Sequence, residues 1–294
     1  MSELVDCINA LSAKDIIKSV AKTANGVPFY IQTSGLSGFC AEYQAVYDSL
    51  TTPPSAGIAA AQNTMWCALV DAGIAAKIDV FYLFAQTINT AGEALVNWKN
   101  PGTFDATAYN SPVFVALEGF TSDGISKYID TNWNAAVNGV NYTLNDCSMA
   151  GYVRTNVSED RYICGIQDAT TDIVRINPRK GGDTGEWWSN NATKEVVAAQ
   201  ADSRGMFVIT RSAVNSRTGY RNKVVWGQDA VASVNVPDGN VFVLGQNLIG
   251  TGYNSITTRQ VSLFFAGANL SLGEVTTLTD TIEVYMDSNG KGVI

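Results

Sequence analysis

Two adjacent tryptophans, Trp187 and Trp188, sit in a glycine-rich stretch just after Arg179 and Asp183. Aromatic faces stack on the apolar faces of sugars and anchor protein contacts. These four residues are therefore a candidate ligand-binding loop, for a glycan or a protein partner. The competing use of the pair is structural, with one indole plugging a core and the other capping a subunit contact. Cleaving a glycosidic bond with retention needs two carboxylates about 5 Å apart. Glu118, Glu186 and Glu283 are the carboxylates to weigh, but Glu186 is followed by Trp187, Trp188 and Ser189, and Glu283 by Val284 and Tyr285. No strand of alternating acids appears, so no catalytic residue is assigned.

The chain has no histidine. Ser-His-Asp and Cys-His nucleophile systems cannot be assembled within it, and His-based zinc sites are excluded. Calcium takes oxygen ligands from loops. Asp123-Gly124, and Asp183 with Asp168 or Asp172, could supply them, yet EF-hand ligand spacing is missing and turn chemistry explains the aspartates better. No metal or cofactor is expected. The five cysteines, Cys7, Cys40, Cys67, Cys147 and Cys164, are odd in number, far apart and free of CxxC pairs. That argues against a disulfide framework and for small buried hydrophobes, as in folding in a reducing cytoplasm.

The 294 residues carry 46% hydrophobic and only 16% charged side chains, with a net charge of −8. Such a chain can build a large packed core. Its diffuse acidity disfavours nucleic acid, which demands clustered Lys and Arg. No secretory signal is visible at Met1 to Ala10, and no apolar run is long enough to insert in a membrane.

The elements that must position these residues change character along the chain. Ser12-Ala13-Lys14-Asp15 matches a capping box, and Ile16, Ile17, Val20 and Ala21 follow at helical spacing up to Gly26-Val27-Pro28. Ala41 to Leu50 reads as a short helix. Ile58, Ala61, Met65 and Leu69 share one helix face; after Gly73, Ile74, Ile78, Phe81 and Ala85 suggest a second, making a helical hairpin. From about Ala94 the pattern becomes short strands with regular turn punctuation, the signature of a sandwich. Strands are expected at 113–117, 127–130, 148–155, 162–167, 172–177, 206–211, 221–226, 241–245 and 259–267. Ser271-Leu272-Gly273-Glu274 is a second capping box, opening a helix with Val275, Leu278, Ile282 and Tyr285 on one face. Asp287 to Ile294 reads as a loose tail or contact strand. Trp66, Trp98, Trp133 and Trp226 are expected in cores. The fold class is α+β: an N-terminal region (1–54), a helical hairpin module (55–94) and an antiparallel β-sandwich (95–294).

Phe120-Thr121-Ser122-Asp123-Gly124 with Tyr128-Ile129-Asp130-Thr131 resembles the early strand of concanavalin-like, laminin-G-type sandwiches. The closing order Val241 to Gly245, Gln260 to Gly267, then Leu270 to Val275 is similar too. The stretch from Ala61 to Ala85 looks like a helical module that precedes such sandwiches in phages and prophages, notably of Bacteroides-type hosts, with Leu95 to Pro101 as the join. The resemblance spans roughly residues 55–290. It implies a concanavalin-like jelly roll in a virion structural protein, a head or tail fibre or decoration subunit made in the host bacterial cytoplasm. Its expected partners are other virion proteins through residues 1–54, further copies in a homo-oligomer such as a trimer, and a host surface glycan. The alternatives are a carbohydrate-binding adhesin module and a glycan-cleaving enzyme.

Overall fold

The computed structural model describes residues 38–168 and 171–294, with the backbone of 20–22 and 28–30. Helices are α1 (Ala41–Ser49), α2 (Ala56–Asp71), α3 (Ile74–Lys77), α4 (Ala135–Asn138) and α5 (Leu272–Ser288). The strands begin with β1 (Val20–Lys22), β2 (Pro28–Tyr30), β3 (Ile78–Leu83), β4 (Thr107–Tyr109), β5 (Val113–Val115), β6 (Gly119–Thr121) and β7 (Tyr128–Asn134). They continue with β8 (Cys147–Val153), β9 (Cys164–Gln167), β10 (Ile173–Lys180), β11 (Thr184–Trp188), β12 (Glu195–Val197) and β13 (Gly205–Ala213). The last are β14 (Ser216–Arg221), β15 (Val224–Asp229), β16 (Asn240–Val243), β17 (Gln246–Leu248), β18 (Gly252–Asn254) and β19 (Val261–Gly267).

Two sheets face each other. One runs β12-β11-β10-β9-β16-β7-β4 and carries the β17–β18 hairpin beside β9. The other runs β15-β14-β13-β8-β19-β6-β5, with β3 also on β19. Neighbours pair antiparallel, except that β17 lies parallel to β9. Between the sheets lies a core of Trp133, Trp187, Trp226, Phe84, Phe120, Phe207, Phe264 and aliphatic neighbours. A second core lies on the far side of the β19 sheet, where α1, α2 and α5 bring Tyr43, Trp66, Leu69, Leu278, Ile282 and Tyr285 onto Phe81, Leu83, Leu263 and Phe265. The molecule is a helix layer on a sandwich, and the sheet between the two cores is buried on both faces. The expected α+β class with an antiparallel sandwich is therefore present.

That two-sided burial corrects the helical hairpin. Ile74 to Lys77 make one short helix, and Ile78 to Leu83 are a strand paired with β19. Val80, Tyr82 and Phe84 enter the inter-sheet core, while Phe81, Leu83 and Ala85 enter the helix-facing one. A strand buried on both faces reads as an unbroken apolar run, which periodicity cannot tell from a buried helix. The backbones meet closely here: a Cβ on Gly267 would lie 2.2 Å from the Lys77 carbonyl oxygen.

Other corrections are local. Residues 221–226 are not one strand but the β14–β15 hairpin, turned at Asn222 and Lys223, both with positive φ (49° and 74°). Two such residues give the turn whose twist suits a tight hairpin, and Lys is an unusual occupant. Val20 to Lys22, expected at the end of a helix, pair with Pro28 to Tyr30 as a ribbon; the capping box at Ser12 and residues 16 and 17 lie outside the described residues. Cys40 and Cys67 are disulfide-bonded, tying the start of α1 to α2. They are not the free buried thiols their spacing implied, because sequence separation says nothing of proximity in space. Cys147 and Cys164 are free and buried, and Cys7 lies outside the described residues. The tail is not loose: helix α5 continues to Ser288, Lys291 pairs with Glu118, and the amides of Val293 and Ile294 donate to Glu283. The capping box of α5 forms as read, with the Glu274 amide donating to Ser271 Oγ and the Ser271 amide to the Glu274 carboxylate. Among the described residues no helix is long and apolar enough to cross a membrane.

Candidate functional site

Among the described residues no helix layer covers the outer face of the β12–β4 sheet. Its composition follows from register. Trp187, Ile176, Cys164, Val243 and Ile129 pair in sequence across β11, β10, β9, β16 and β7, and all enter the inter-sheet core. Side chains alternate along a strand, so the adjacent row must face outward: Trp188, Arg175, Gly165, Phe242, Asp130 and, on β4, Thr107. Tyr128 and Tyr109, paired two residues further along β7 and β4, share that face.

Aromatic rings gather at the β4 side of this face. Tyr128 is the hub, with ring centroids 4.5 Å from Phe242, 4.9 Å from Tyr109 and 5.1 Å from Tyr253. Tyr109 and Tyr128 are stacked with their ring planes nearly parallel, at 7°. The interior members are covered, but Tyr109 and Tyr253 are each 42% exposed. They form a rim of phenol rings backed by Tyr128 and Phe242. Burial, then the neighbouring Tyr109, Asp130 and Tyr253, push the Tyr128 phenol above its usual value, so it stays neutral. Asp130 beside it is also pushed up by burial, while accepting from the Asn132 amide (2.8 Å) and Asn240 Nδ2 (3.3 Å). Rigid phenols with polar edges on an open sheet face suit the apolar faces and hydroxyls of sugars.

The residues singled out from sequence are dispersed around this platform. Trp187 is fully buried between the sheets. Trp188, on the outer face, is 4% exposed and covered by Tyr162, Arg175 and Lys194. Both lie on strand β11 rather than in a loop. Arg179 and Asp183 face each other across the β10–β11 turn, Nε and Nη2 donating to Asp183 Oδ1 at 2.9 and 2.6 Å, with Arg179 Nη1 on Asn156. The rim tyrosines were missed. Tyr128 lay within an expected strand, and its outward phase against inward Ile129 was the available signal; β4 and β18, three residues each, gave none.

The three glutamates have separate partners. Glu118 takes Arg154 (2.9 Å) and Lys291 (2.5 Å). Glu186 takes Lys180 and Lys194. Glu283 accepts from Tyr152 Oη and the tail amides. The proposed calcium aspartates serve turns: the amides of Ser126, then Ile125, hold the Asp123 carboxyl well below the usual range. Asp168 accepts from the Asp238 amide and Asp172 from Asn235. Among the described residues no three His, Cys, Asp or Glu side chains are grouped to hold a metal ion.

One carboxyl pair lies where the sheets meet at β12 and β15. Burial, then a hydrogen bond shared with Asp229, pushes the Glu195 carboxyl up. Burial acts to raise Asp229 as well, but the buried Arg217 fork, at 2.6 Å to each oxygen, outweighs it and holds Asp229 low. A raised folded-state value means the native state binds that proton more tightly. The Glu195 contribution is therefore complete below about pH 4.3, the ordinary Glu value, and is lost as pH rises through the raised one. Glu195→Gln keeps a donor to Asp229. Its Tm should match wild type near the lower limit and exceed it at neutrality; parallel Tm–pH curves would remove this account.

By sequence the chain matches no protein-family model and no curated protein. By structure it is similar to the botulinum neurotoxin serotype D binding domain, with a TM-score of 0.51 and 10% identity over 71% of this chain and 52% of that one. It is similar also to Trypanosoma rangeli sialidase in complex with 2,3-difluoro-KDN, at 0.50 and 12% over 74% and 34%. The likeness is one of fold, an antiparallel β-sandwich. The chain spans about half the length of the toxin domain and a third of the sialidase.

Proposed function

We propose that this protein is a carbohydrate-binding adhesion module that recognises surface glycans without cleaving them. The observation that carries the reading is the Tyr109–Tyr128–Tyr253–Phe242 platform, exposed at its rim on a sheet face that no helix layer covers among the described residues. The fold is shared with a toxin binding domain and with part of a sialidase crystallised with a sugar analogue, a setting that supports the reading. Binding without turnover is supported by the carboxylates: Glu118, Glu186 and Glu283 are each neutralised or tied by their own partners. The Cys40–Cys67 bond suits an oxidising exterior. Host-surface attachment of a phage particle, the setting implied by the sequence resemblance, is one use of such a module; finding the chain in purified virions would establish it.

The test is a glycan array on the full chain, followed by calorimetry on the hits. Tyr109→Ala with Tyr253→Ala removes the exposed rings and spares the hub. Affinity should fall about 30-fold, the loss of about 2 kcal/mol typical of aromatic anchors, with Tm nearly unchanged. Unaltered glycan affinity in the double variant would exclude the platform as the site.

A further inference from the structure

The other half of the same sheet face holds a cation that makes no ion pair among the described residues. Arg175 lies in the outward row, separated from Phe242 only by Gly165. Its guanidinium sits 3.9 Å from the Trp188 ring centroid and 4.4 Å from that of Tyr162. Nη1 donates to Gln167 Oε1 (3.0 Å) and Gln246 Oε1 (2.8 Å). Among the described residues Arg175 makes no ion pair. Its Nε is buried without an acceptor, Nη2 has no acceptor among the described residues, and the side chain as a whole is half-buried. The nearby carboxylates are engaged elsewhere: Glu186 by two lysines, Asp160 by Asn177 Nδ2 at 3.1 Å. Arg217, by contrast, has the Asp229 carboxylate and the Thr193 carbonyl, and Arg211 and Arg259, whose Nε atoms also lack an acceptor, have several backbone carbonyls on their other nitrogens. A guanidinium stacked between rings, fixed by two amide side chains and left short of acceptors is a preformed anion receptor.

Two further features join it to the tyrosine platform. The β17–β18 hairpin supplies Gln246, which holds Arg175, and Tyr253, which stacks on Tyr128. Gly165 keeps the floor between them low: a Cβ there would lie 2.5 Å from Arg175 Cβ. From β10 to β7, which carries Tyr128, is three strand spacings, about 14 Å, a span suited to a few linked sugar rings. We infer that the ligand is an acidic glycan, one whose carboxylate-bearing sugar meets Arg175 while another ring of the same oligosaccharide stacks on the tyrosines.

This inference rests on the glycan-binding reading, and the experiment separates the two. Calorimetry on the full chain would use sialylated and uronic-acid oligosaccharides, each beside its counterpart with the carboxyl reduced to the alcohol. Wild type should bind the acid about tenfold or more tightly than the alcohol, the scale of one charged hydrogen bond, and the ratio should shrink with added salt. Arg175→Gln should abolish that ratio and leave the alcohol's affinity within about threefold. The two sugar families tell which acidic glycan is meant. Equal wild-type affinity for acid and alcohol overturns the inference while the adhesion reading stands. That comparison needs no variant, so it decides even if Arg175→Gln folds poorly. Binding of no saccharide would overturn both.

Discussion

Replacing Arg259 with alanine should destabilise the protein by about 3–5 kcal/mol, the range for removing one partner from a buried charged network. The Arg259 guanidinium is fully buried yet pairs only loosely with Glu159, at 3.6 Å. Its main acceptors are backbone carbonyls: Arg161 at 3.0 Å, Val157 and Glu159 each at 3.1 Å, and Arg179. Those carbonyls belong to the loop entering β9 and the end of β10, which no sheet ladder serves. Burial pulls the guanidinium down to about 10, so it remains charged at neutral pH. Alanine would leave a cavity in which the Arg161 and Val157 carbonyls lose their guanidinium donor, while those of Glu159 and Arg179 keep the amides of Arg161 and Glu159; the desolvation cost of the first two is then uncompensated. The same loop carries Tyr162, one of the two rings that stack on Arg175. Loss of stability in denaturant titration should therefore accompany weakened selectivity for acidic glycans. A change below about 1 kcal/mol, the net worth of one ordinary hydrogen bond, would mean that the loop is held by other contacts.

Arg259 also marks the limit of what the sequence discloses. Strand β8 was readable from the split of Met149, Gly151 and Val153 from Ala150, Tyr152 and Arg154, with turn residues on either side, although it is buried on both faces. The α5 helix was readable from Ser271 and Glu274 and from the spacing of Val275, Leu278, Ile282 and Tyr285. β3 was not, since its unbroken apolar run follows a helix directly and fits the same helical spacing. The fully buried arginines 211, 217 and 259 were not either. An arginine near a turn reads as surface, and only tertiary structure shows carbonyls converging on it: Arg211 Nη2 reaches the Ser189 oxygen at 2.6 Å, and Nη1 that of Val214 at 2.7 Å. The candidate site was hidden for a related reason. Trp187 and Trp188 drew attention by type, whereas the platform is made of tyrosines and a phenylalanine drawn from four short strands. Nothing in their spacing reveals that Tyr109, Tyr128, Phe242 and Tyr253 meet; pairing register alone brings them together.

The shared middle sheet gives the second large expectation. Trp66 projects from α2 onto the helix-facing side of that sheet, its ring 4.8 Å from Phe81 and 5.8 Å from Trp98. Trp66→Ala deletes a fully buried indole and should cost about 3–5 kcal/mol. The loss should appear across the whole molecule rather than in the helices alone. Phe81 is flanked in the chain by Val80 and Tyr82, which face the other core, and β19 divides in the same way. The buried chain Tyr43 Oη to Gln62, Gln62 Nε2 to Gln86, and Tyr285 Oη to the Ala85 carbonyl ties three helices to the segment just after β3. Peeling the helix layer away would thus expose the outer side of β3 and β19 and leave those polar groups unpaired. The helical far-UV signal and the fluorescence of the inter-sheet tryptophans should therefore fall at one shared midpoint, lower in the variant. Separate midpoints, with only the helical signal shifted, would show that the layers fold independently and that the glycan-facing sheet does not depend on the helices behind it.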